Sequence, residues 1–182
     1  IDSDNYDAGV QCAKDMMKKK TSANIIIVNQ KALNSINERV KGFRDTIKGH
    51  PQYKIVEEKE SAAEFEIAMK VMEKIIYEKK NYDVVMGGND PIALGCIAAM
   101  QMTDKTDQVM VYGVDGSPDG KAMIKAGFLE GTAAQSPIKI GEKAVQTAYS
   151  YLAGETVKKH VTIPVELITA DNLKFYDMTG WQ

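Results

Sequence analysis

Three polar side chains of this sequence each follow the end of a short apolar segment. They are Asn89, Asp115 and Gln135. A carboxylate accepts two hydroxyl donors, while a primary amide both donates and accepts hydrogen bonds. Gathered at one place, such groups indicate non-covalent recognition of a small ligand with neighbouring hydroxyls, such as a polyol or a sugar.

Local backbone roles explain some of these residue types equally well. Asp90 and Ser117 each precede a proline, which is the pattern of a helix N-cap followed by proline at the first helical position. We therefore predict that Asp90 and Ser117 are caps. Asn89 and Asp115 precede these caps, and turn formation accounts for them as well as ligand binding does. Gln135, just before another Ser-Pro pair, keeps the same two interpretations.

The elements that position these side chains follow from an alternation of short β-branched runs with longer stretches at helical spacing. This alternation predicts βαβ units, and so an α/β fold with a Rossmann-like parallel sheet flanked by helices. The runs are continuous, which is typical of strands buried on both faces. In such a sheet the carboxyl ends of the strands meet at one edge, where ligands bind. The runs are Asn24–Val28, Tyr53–Glu57, Asp83–Met86, Val109–Val114 and Gly131–Ala134.

Hydrophobic residues between the runs form stripes that we expect to pack on the sheet. The last stripe extends from Ile140 to Tyr151. Cys12 and Cys96 both fall in predicted helices, where a free cysteine usually behaves as a small buried hydrophobe. The chain opens with a helix, which suggests that the natural polypeptide continues upstream.

Several classes of function lack support in the composition and motifs. The formal net charge of -2 supplies no basic surface for nucleic acid. The two histidines, His50 and His160, neighbour no candidate nucleophile, and no Cys/His spacing suits a metal. Gly87-Gly88 lacks the lysine and hydroxyl of a phosphate-binding loop. We predict no catalytic residue, no metal and no cofactor.

Three ordered blocks of the sequence resemble ribose- and galactose-type solute-binding proteins, which are type I periplasmic binding proteins. The resemblance extends backward to Ser3–Asn5 and forward to the terminal Gly180–Gln182, so it covers essentially the whole chain. The blocks are Asn89–Gly95 (NDPIALG), Val111–Gly120 (VYGVDGSPDG) and Gly131–Gly141 (GTAAQSPIKIG).

The resemblance implies two Rossmann-like lobes joined by three crossing strands. This chain would then be a C-terminal fragment with most of the first lobe missing. Residues 1–134 would form the second lobe, and residues 135–163 would belong to the first. Residues 164–182 would cross back to the second lobe and end as a tail.

The resemblance also implies site residues. Asn89 and Asp115 match positions that hydrogen-bond sugar hydroxyls, and Gln135 matches a hinge-side amide that does the same. The predicted ligand-binding set also includes Asn37 and Ser3, although many relatives have a sugar-contacting arginine where Asn37 stands. Departures from relatives at Asn37, near Ala63 and at Val114 leave the identity of the sugar open. Arg39 is closer to a structural arginine of the motif than to the ligand-contacting one.

The implied function is that of the substrate-binding component of a bacterial ABC sugar uptake system, which is not an enzyme. Its partners would be a small-molecule sugar and a membrane permease, and it would be extracytoplasmic, in the periplasm or as a lipoprotein on the outer face of the cell membrane. Two alternatives share the fold: the effector-binding core of a lac-repressor-type regulator, and a sugar receptor for a membrane sensor kinase. As a fragment, the chain is expected to bind sugar weakly and to self-associate.

Overall fold

The computed structural model describes residues 1–103 and 109–181 and shows an α/β fold. Gln182, the last residue of the predicted tail, lies outside the described residues. The helices are α1 (Asn5–Lys19), α2 (Asn34–Ile47), α3 (Phe65–Tyr77), α4 (Asp90–Gln101), α5 (Pro118–Lys125), α6 (Pro137–Leu152) and a 3-10 helix, Leu173–Phe175. The strands are β1 (Asp2–Ser3), β2 (Ala23–Asn29), β3 (Tyr53–Glu60), β4 (Val84–Gly87), β5 (Met110–Asp115), β6 (Gly131–Ala134), β7 (Thr162–Ile163) and β8 (Glu166–Thr169).

Six strands form one sheet in the order β3-β2-β4-β5-β6-β8. The first five are parallel, and β8 closes the sheet antiparallel to β6. The predicted fold class is thereby confirmed. Because the parallel strands share one direction, their carboxyl ends lie along one edge of the sheet.

The two layers of helices cover opposite faces of the sheet, with α1 packed on α2 and α3 packed on α4. Nearly every residue of β2, β4 and β5 is buried, as continuous apolar runs predict for central strands. Cys12 in α1 and Cys96 in α4 are both buried and free, as predicted. Burial raises the pKa of both thiols, so neither resembles a reactive cysteine.

The prediction for β3 was wrong in one respect. Its residues are mostly half-buried or exposed rather than buried on both faces, and the strand extends three residues beyond Glu57. β3 is an edge strand that pairs only with β2 in the described sheet, so one side and part of one face meet solvent. Strand order is a long-range property, and a local apolar run does not reveal it.

Helices α1 and α2 cross at unusually close range. A Cβ atom placed on Gly42 would collide with the backbone oxygen of Tyr6, and one on Gly9 would collide with that of Arg39. The two backbones therefore touch, which only glycine permits. This crossing fixes the beginning of α1 against the middle of α2.

The last stripe of the sequence does not pack as expected. All 16 residues of α6 are described, and none of their side chains is buried. Tyr151, at the end of the predicted stripe, is 68% exposed. The prediction that this stripe covers the sheet was wrong, because the chain leaves the sheet after β6 and returns only at β8. On the way it forms β7, which pairs in parallel with β1 in a separate two-stranded sheet.

A buried lysine binds the C-terminal segment to the body of the fold. Lys121 of α5 is fully buried, and its Nζ donates hydrogen bonds to the backbone oxygens of Asp177 and Gly180. Burial lowers the pKa of this lysine. Over the described residues, no helix is both long and apolar enough to cross a bilayer.

Candidate functional site

Asp115 and Gln135 meet at the carboxyl-end edge of the sheet. Gln135 Nε2 donates to Asp115 Oδ1 over 2.7 Å, and Gln135 Oε1 accepts from Ser3 Oγ over 2.8 Å. Asp115 ends β5, Gln135 follows the adjacent strand β6, and Ser3 belongs to β1. The structure thus brings three of the five predicted site residues into one chain of hydrogen bonds.

Arg39 joins this chain of hydrogen bonds to two further segments of the protein. Its Nη1 lies 3.4 Å from Asp115 Oδ1 and donates to the backbone oxygen of Gly88 over 3.0 Å. Its Nε donates to Asn5 Oδ1 over 2.9 Å, and Asn5 Nδ2 donates to the backbone oxygen of Ser3 over 3.1 Å. The hydrogen bonds close a ring, which we call the rim network and which consists of Ser3, Asn5, Arg39, Asp115 and Gln135.

Burial dominates the electrostatics of the rim network. The side chain of Asp115 is 16% exposed and that of Arg39 is 5% exposed. Burial raises the pKa of Asp115 to about 6, and the nearby Asp90 carboxylate adds to this increase. The positive charge of Arg39 and the hydrogen bond from Gln135 act in the opposite direction. Burial therefore disfavours the charged form of Asp115, while Arg39 and Gln135 favour it and keep Asp115 ionised at neutral pH.

Backbone strain accumulates at the same edge. Asp115 has a φ of 143° and Ala63, in the loop after β3, has a φ of 58°. Non-glycine residues adopt such values rarely, and at a cost of order 1 kcal/mol each. The surrounding structure must therefore hold both residues in place, which is common where side chains are aimed at a ligand.

Asn89 lies at the same edge but outside the rim network. Its Oδ1 accepts from the backbone nitrogen of Ile92 over 3.0 Å, so Asn89 is the N-cap of α4. The prediction that Asp90 is this cap was wrong by one residue. Asn89 Nδ2 makes one long hydrogen bond, 3.4 Å, to the backbone oxygen of Ala63, so its donor capacity is largely unused. Ser117 does cap α5, as predicted.

Asp90 is instead a buried junction between three elements. Its Oδ2 accepts from the backbone nitrogen and the hydroxyl of Ser117, over 2.9 and 2.6 Å, and its Oδ1 accepts from Thr132 Oγ1 over 2.7 Å. It is fully buried, and burial raises its pKa. Gly113 and Gly120 leave room for it, since a Cβ on either would collide with its carboxylate. Asp90 thus fixes the loop that follows Asp115.

Asn37 does not join the rim network. Its Nδ2 donates to the backbone oxygen of Lys31 over 2.8 Å, within the loop that precedes α2. Arg39, two residues further along α2, points to the network instead. The ligand-binding role of Asn37 stays a prediction with no contact in its support.

Sequence reasoning underrated Arg39 and did not single out Asn5. A signal for Arg39 was present, because it lies among the apolar residues of α2, one turn from Ile36 and from Phe43. An arginine on a buried face needs buried acceptors, and Arg39 has them in Asn5, Gly88 and Asp115. Asn5 gave no comparable signal, since its role depends on the close crossing of α1 and α2.

A cleft of about 420 Å³ opens beside the rim network. Its lining includes Ser3 and Asn5 of the rim network together with Tyr6, Ser35 and Glu38. Asn89, Asp115 and Gln135 do not line this cleft, so it is not the predicted sugar site. Within residues 1–103 and 109–181, no group of three His, Cys, Asp or Glu side chains is arranged to hold a metal.

The fold agrees with known proteins. A family model described as a periplasmic binding protein domain matches residues 1–156, and the chain belongs to this family. The ribose import binding protein of Salmonella typhimurium is 30% identical over 171 residues, which cover 92% of this chain and 57% of that protein.

Solved structures give the same result. An ABC transporter solute binding protein from Bacillus halodurans with bound myo-inositol has a TM-score of 0.90 at 27% identity, covering 96% of this chain and 61% of that one. The myo-inositol binding protein of Caulobacter, bound to myo-inositol, has a TM-score of 0.87 at 28% identity, covering 95% and 60%. The chain thus spans less than two thirds of the length of these relatives.

Proposed function

We propose that this chain is part of a sugar-binding protein that supplies a bacterial ABC uptake system. The observation that carries the proposal is the hydrogen-bonded chain from Ser3 through Gln135 to Asp115 at the carboxyl-end edge of the sheet. Similarity to a ribose import protein and to two proteins that hold myo-inositol supports a monosaccharide or cyclitol ligand. Both kinds of ligand are small rings with neighbouring hydroxyls.

Each proposed contact follows from the geometry of its side chain. The carboxylate of Asp115 has about four acceptor sites, and the rim network fills two of them, so hydroxyls of a ligand use the remainder. Asn89 offers the amide donors that capping leaves unused. Gln135 exposes its amide at the point where the chain leaves the sheet. Ser3 supports Gln135 and completes the set. Asn37 belongs to it only because it stands where many relatives have a sugar-contacting arginine.

The division of the chain into lobes is part of the same proposal. Residues 1–134 form the ligand-binding lobe, 135–163 belong to a first lobe, and 164–182 cross back and end as a tail. The lack of buried side chains in α6 supports this division, because an amphipathic helix normally packs on something. The pairing of β1 with β7 supports a crossing at that place.

Transport is the best supported of the three functions that share this fold. The relatives' names refer to import and to ABC transporters, which favours a permease partner over DNA or a sensor kinase. Function as a receptor, without catalysis and outside the cytoplasm, follows from this proposal. The family match supports it, since the family is one of binding proteins.

Titration calorimetry on the full-length protein that contains this chain tests the proposal. We expect one member of a panel of D-ribose, D-allose, D-galactose and myo-inositol to bind, and Asp115→Asn to weaken that binding at least tenfold, because the amide cannot accept as a carboxylate does. Asp171→Asn, an identical change at an exposed turn after β8, is the matched control. The 182-residue chain alone should bind more weakly than the full-length protein.

Two results would contradict the proposal. One is the absence of binding across the panel. The other is equal affinity for the Asp115→Asn variant and the unaltered protein, which would place the ligand elsewhere.

A further inference from the structure

Arg39 is almost fully buried, yet it contacts three separate segments of the rim. Its side chain is 5% exposed. Its hydrogen bonds reach Asn5 at the start of α1, Gly88 at the end of β4 and Asp115 at the end of β5. A guanidinium is suited to this task because its donors are held in a rigid fork.

The position of the guanidinium is itself fixed by backbone contact. Gly9 meets the backbone of Arg39, and Gly42 meets that of Tyr6, so α1 and α2 cannot slide without a collision. Arg39 and Asn5 are therefore held at a constant separation before any ligand arrives. The side chains of the rim network therefore lose their conformational entropy on folding rather than on ligand binding.

The charge of Arg39 also sets the direction of the hydrogen bonds. An ionised Asp115 only accepts, so the amide of Gln135 must turn its nitrogen toward Asp115 and its oxygen toward the hydroxyl of Ser3. A protonated Asp115 is a donor as well, and Gln135 would then be free to turn its amide around. Ser3 would in that case lose its acceptor.

We propose that Arg39 is a positioning residue of the sugar site, which holds Asp115 as an ionised acceptor and thereby fixes the orientation of Gln135 and Ser3. The inference rests on the proposed function for the identity of the ligand, but not for the behaviour of the ligand-free site. It predicts that the site is arranged by a side chain that the sugar does not touch.

The titratable and charged groups near Asp115 determine how ligand affinity can depend on pH. The charged groups that act most strongly on the pKa of Asp115 are Arg39 from α2 and Asp90 from α4. The thiol of Cys12, from α1, acts on Arg39, and burial keeps that thiol protonated. Removing the positive charge of Arg39 should therefore raise the pKa of Asp115 further, because Arg39 is the largest of the influences that lower it, although the hydrogen bond from Gln135 would remain.

The test compares Arg39→Gln, Arg39→Lys and Arg44→Gln in the full-length protein. Arg44 lies on the same helix, but its side chain is 46% exposed and pairs with Glu58 at the surface. The first measurement is the titration of the Asp115 carboxyl by carbon-detected NMR without ligand. We expect the midpoint to move upward in Arg39→Gln, to stay near the original value in Arg39→Lys, and not to move in Arg44→Gln.

The second measurement is the affinity for the panel member that binds most tightly, as a function of pH. Arg39→Gln should lose about tenfold or more near neutral pH and recover part of that loss at higher pH, where Asp115 ionises again. A purely structural role would lower affinity equally at every pH. In an Asp115→Asn background, Arg39→Gln should have little additional effect, because the interaction that it removes is already absent.

These outcomes separate the two proposals. If no panel member binds, the sugar-binding function fails, while the NMR titration still tests Arg39. If Arg39→Gln leaves the Asp115 titration unchanged, or if Arg39→Lys does not retain it, the positioning role is overturned even when sugar binds. Arg39→Lys keeps the charge in the core, so it serves as the test should Arg39→Gln fail to fold.

Discussion

The sheet with its two layers of helices and the segment around α6 differ in how much of their apolar surface they bury. In the former, the central strands are almost fully buried and the helices α1 to α5 each bury part of one face. In the latter, a helix of 16 residues buries no side chain. The first region is stabilised by its own contacts, whereas the second carries an apolar face without a partner in the described chain. Sequence periodicity alone does not distinguish the two.

The largest expected effect lies at the helix crossing of the first region. Gly42→Ala places a methyl group against the backbone of Tyr6, so α1 and α2 must separate. We expect a loss of about 3 kcal/mol in the free energy of unfolding. Gly141→Ala, in α6, meets nothing within 4 Å and should stabilise its helix by up to about 1 kcal/mol.

Urea unfolding of both variants measures this difference. Equal effects of the two substitutions would show that α6 is as tightly packed as the α1–α2 crossing, and would remove the contrast between the regions.

A second effect is expected from pH, and it also arises in the first region. The folded pKa of Asp115 is about 6, above its usual value near 4, and that of Asp90 is raised too. The folded state therefore binds protons more tightly than the unfolded state. The stability that Asp115 contributes should fall by roughly 3 kcal/mol as pH rises from about 4 to about 6. The raised pKa of Asp90 acts in the same direction.

Asp115→Asn should reduce this dependence and leave the part that comes from Asp90, while Asp171→Asn serves as the matched control. Thermal unfolding across the window is the measurement. A stability that increases over the same window would mean that carboxylates with lowered pKa dominate instead.

The smallest effect concerns a second apolar stripe on α6, beside the predicted stripe from Ile140 to Tyr151. Ile138, Val145, Tyr149 and Leu152 are all more than half exposed, and their spacing places them on one side of the helix. We expect the 182-residue chain to self-associate weakly through this stripe. Tyr149→Lys with Leu152→Lys should reduce the association without changing the unfolding of the sheet.

Sedimentation equilibrium as a function of concentration checks this prediction. A chain that is strictly monomeric at high concentration would show that the stripe alone is not sufficient for association.

The features that the sequence predicts correctly are those that depend on neighbouring residues. The apolar runs predicted five strands, and the strand ends placed Asp115 and Gln135 at a common edge. The stripes expected between the runs likewise include the buried face of α2, where Ile36, Val40 and Phe43 lie.

The features that the sequence did not reveal depend on contacts between distant residues, or on the single residue at which a helix begins. The edge position of β3 follows from strand order, and the exchange of roles between Asn89 and Asp90 follows from where α4 begins. Arg39 required a partner 76 residues away, and Asn5 required the glycine crossing. The orientation of Gln135 is a collective property of the ring of hydrogen bonds.

The pairing of β1 with β7 has a mechanical consequence. Asp2 and Thr162 lie side by side, as do Ser3 and Ile163, and the backbone nitrogen of Asp4 donates to the oxygen of Ile163 over 2.9 Å. Two strands tied in this way bend as one strap, because twisting either alone would break the bonds between them. Any swing of α6 relative to the sheet must therefore turn both strands about a shared axis, and Ser3 would transmit that turn directly to Gln135.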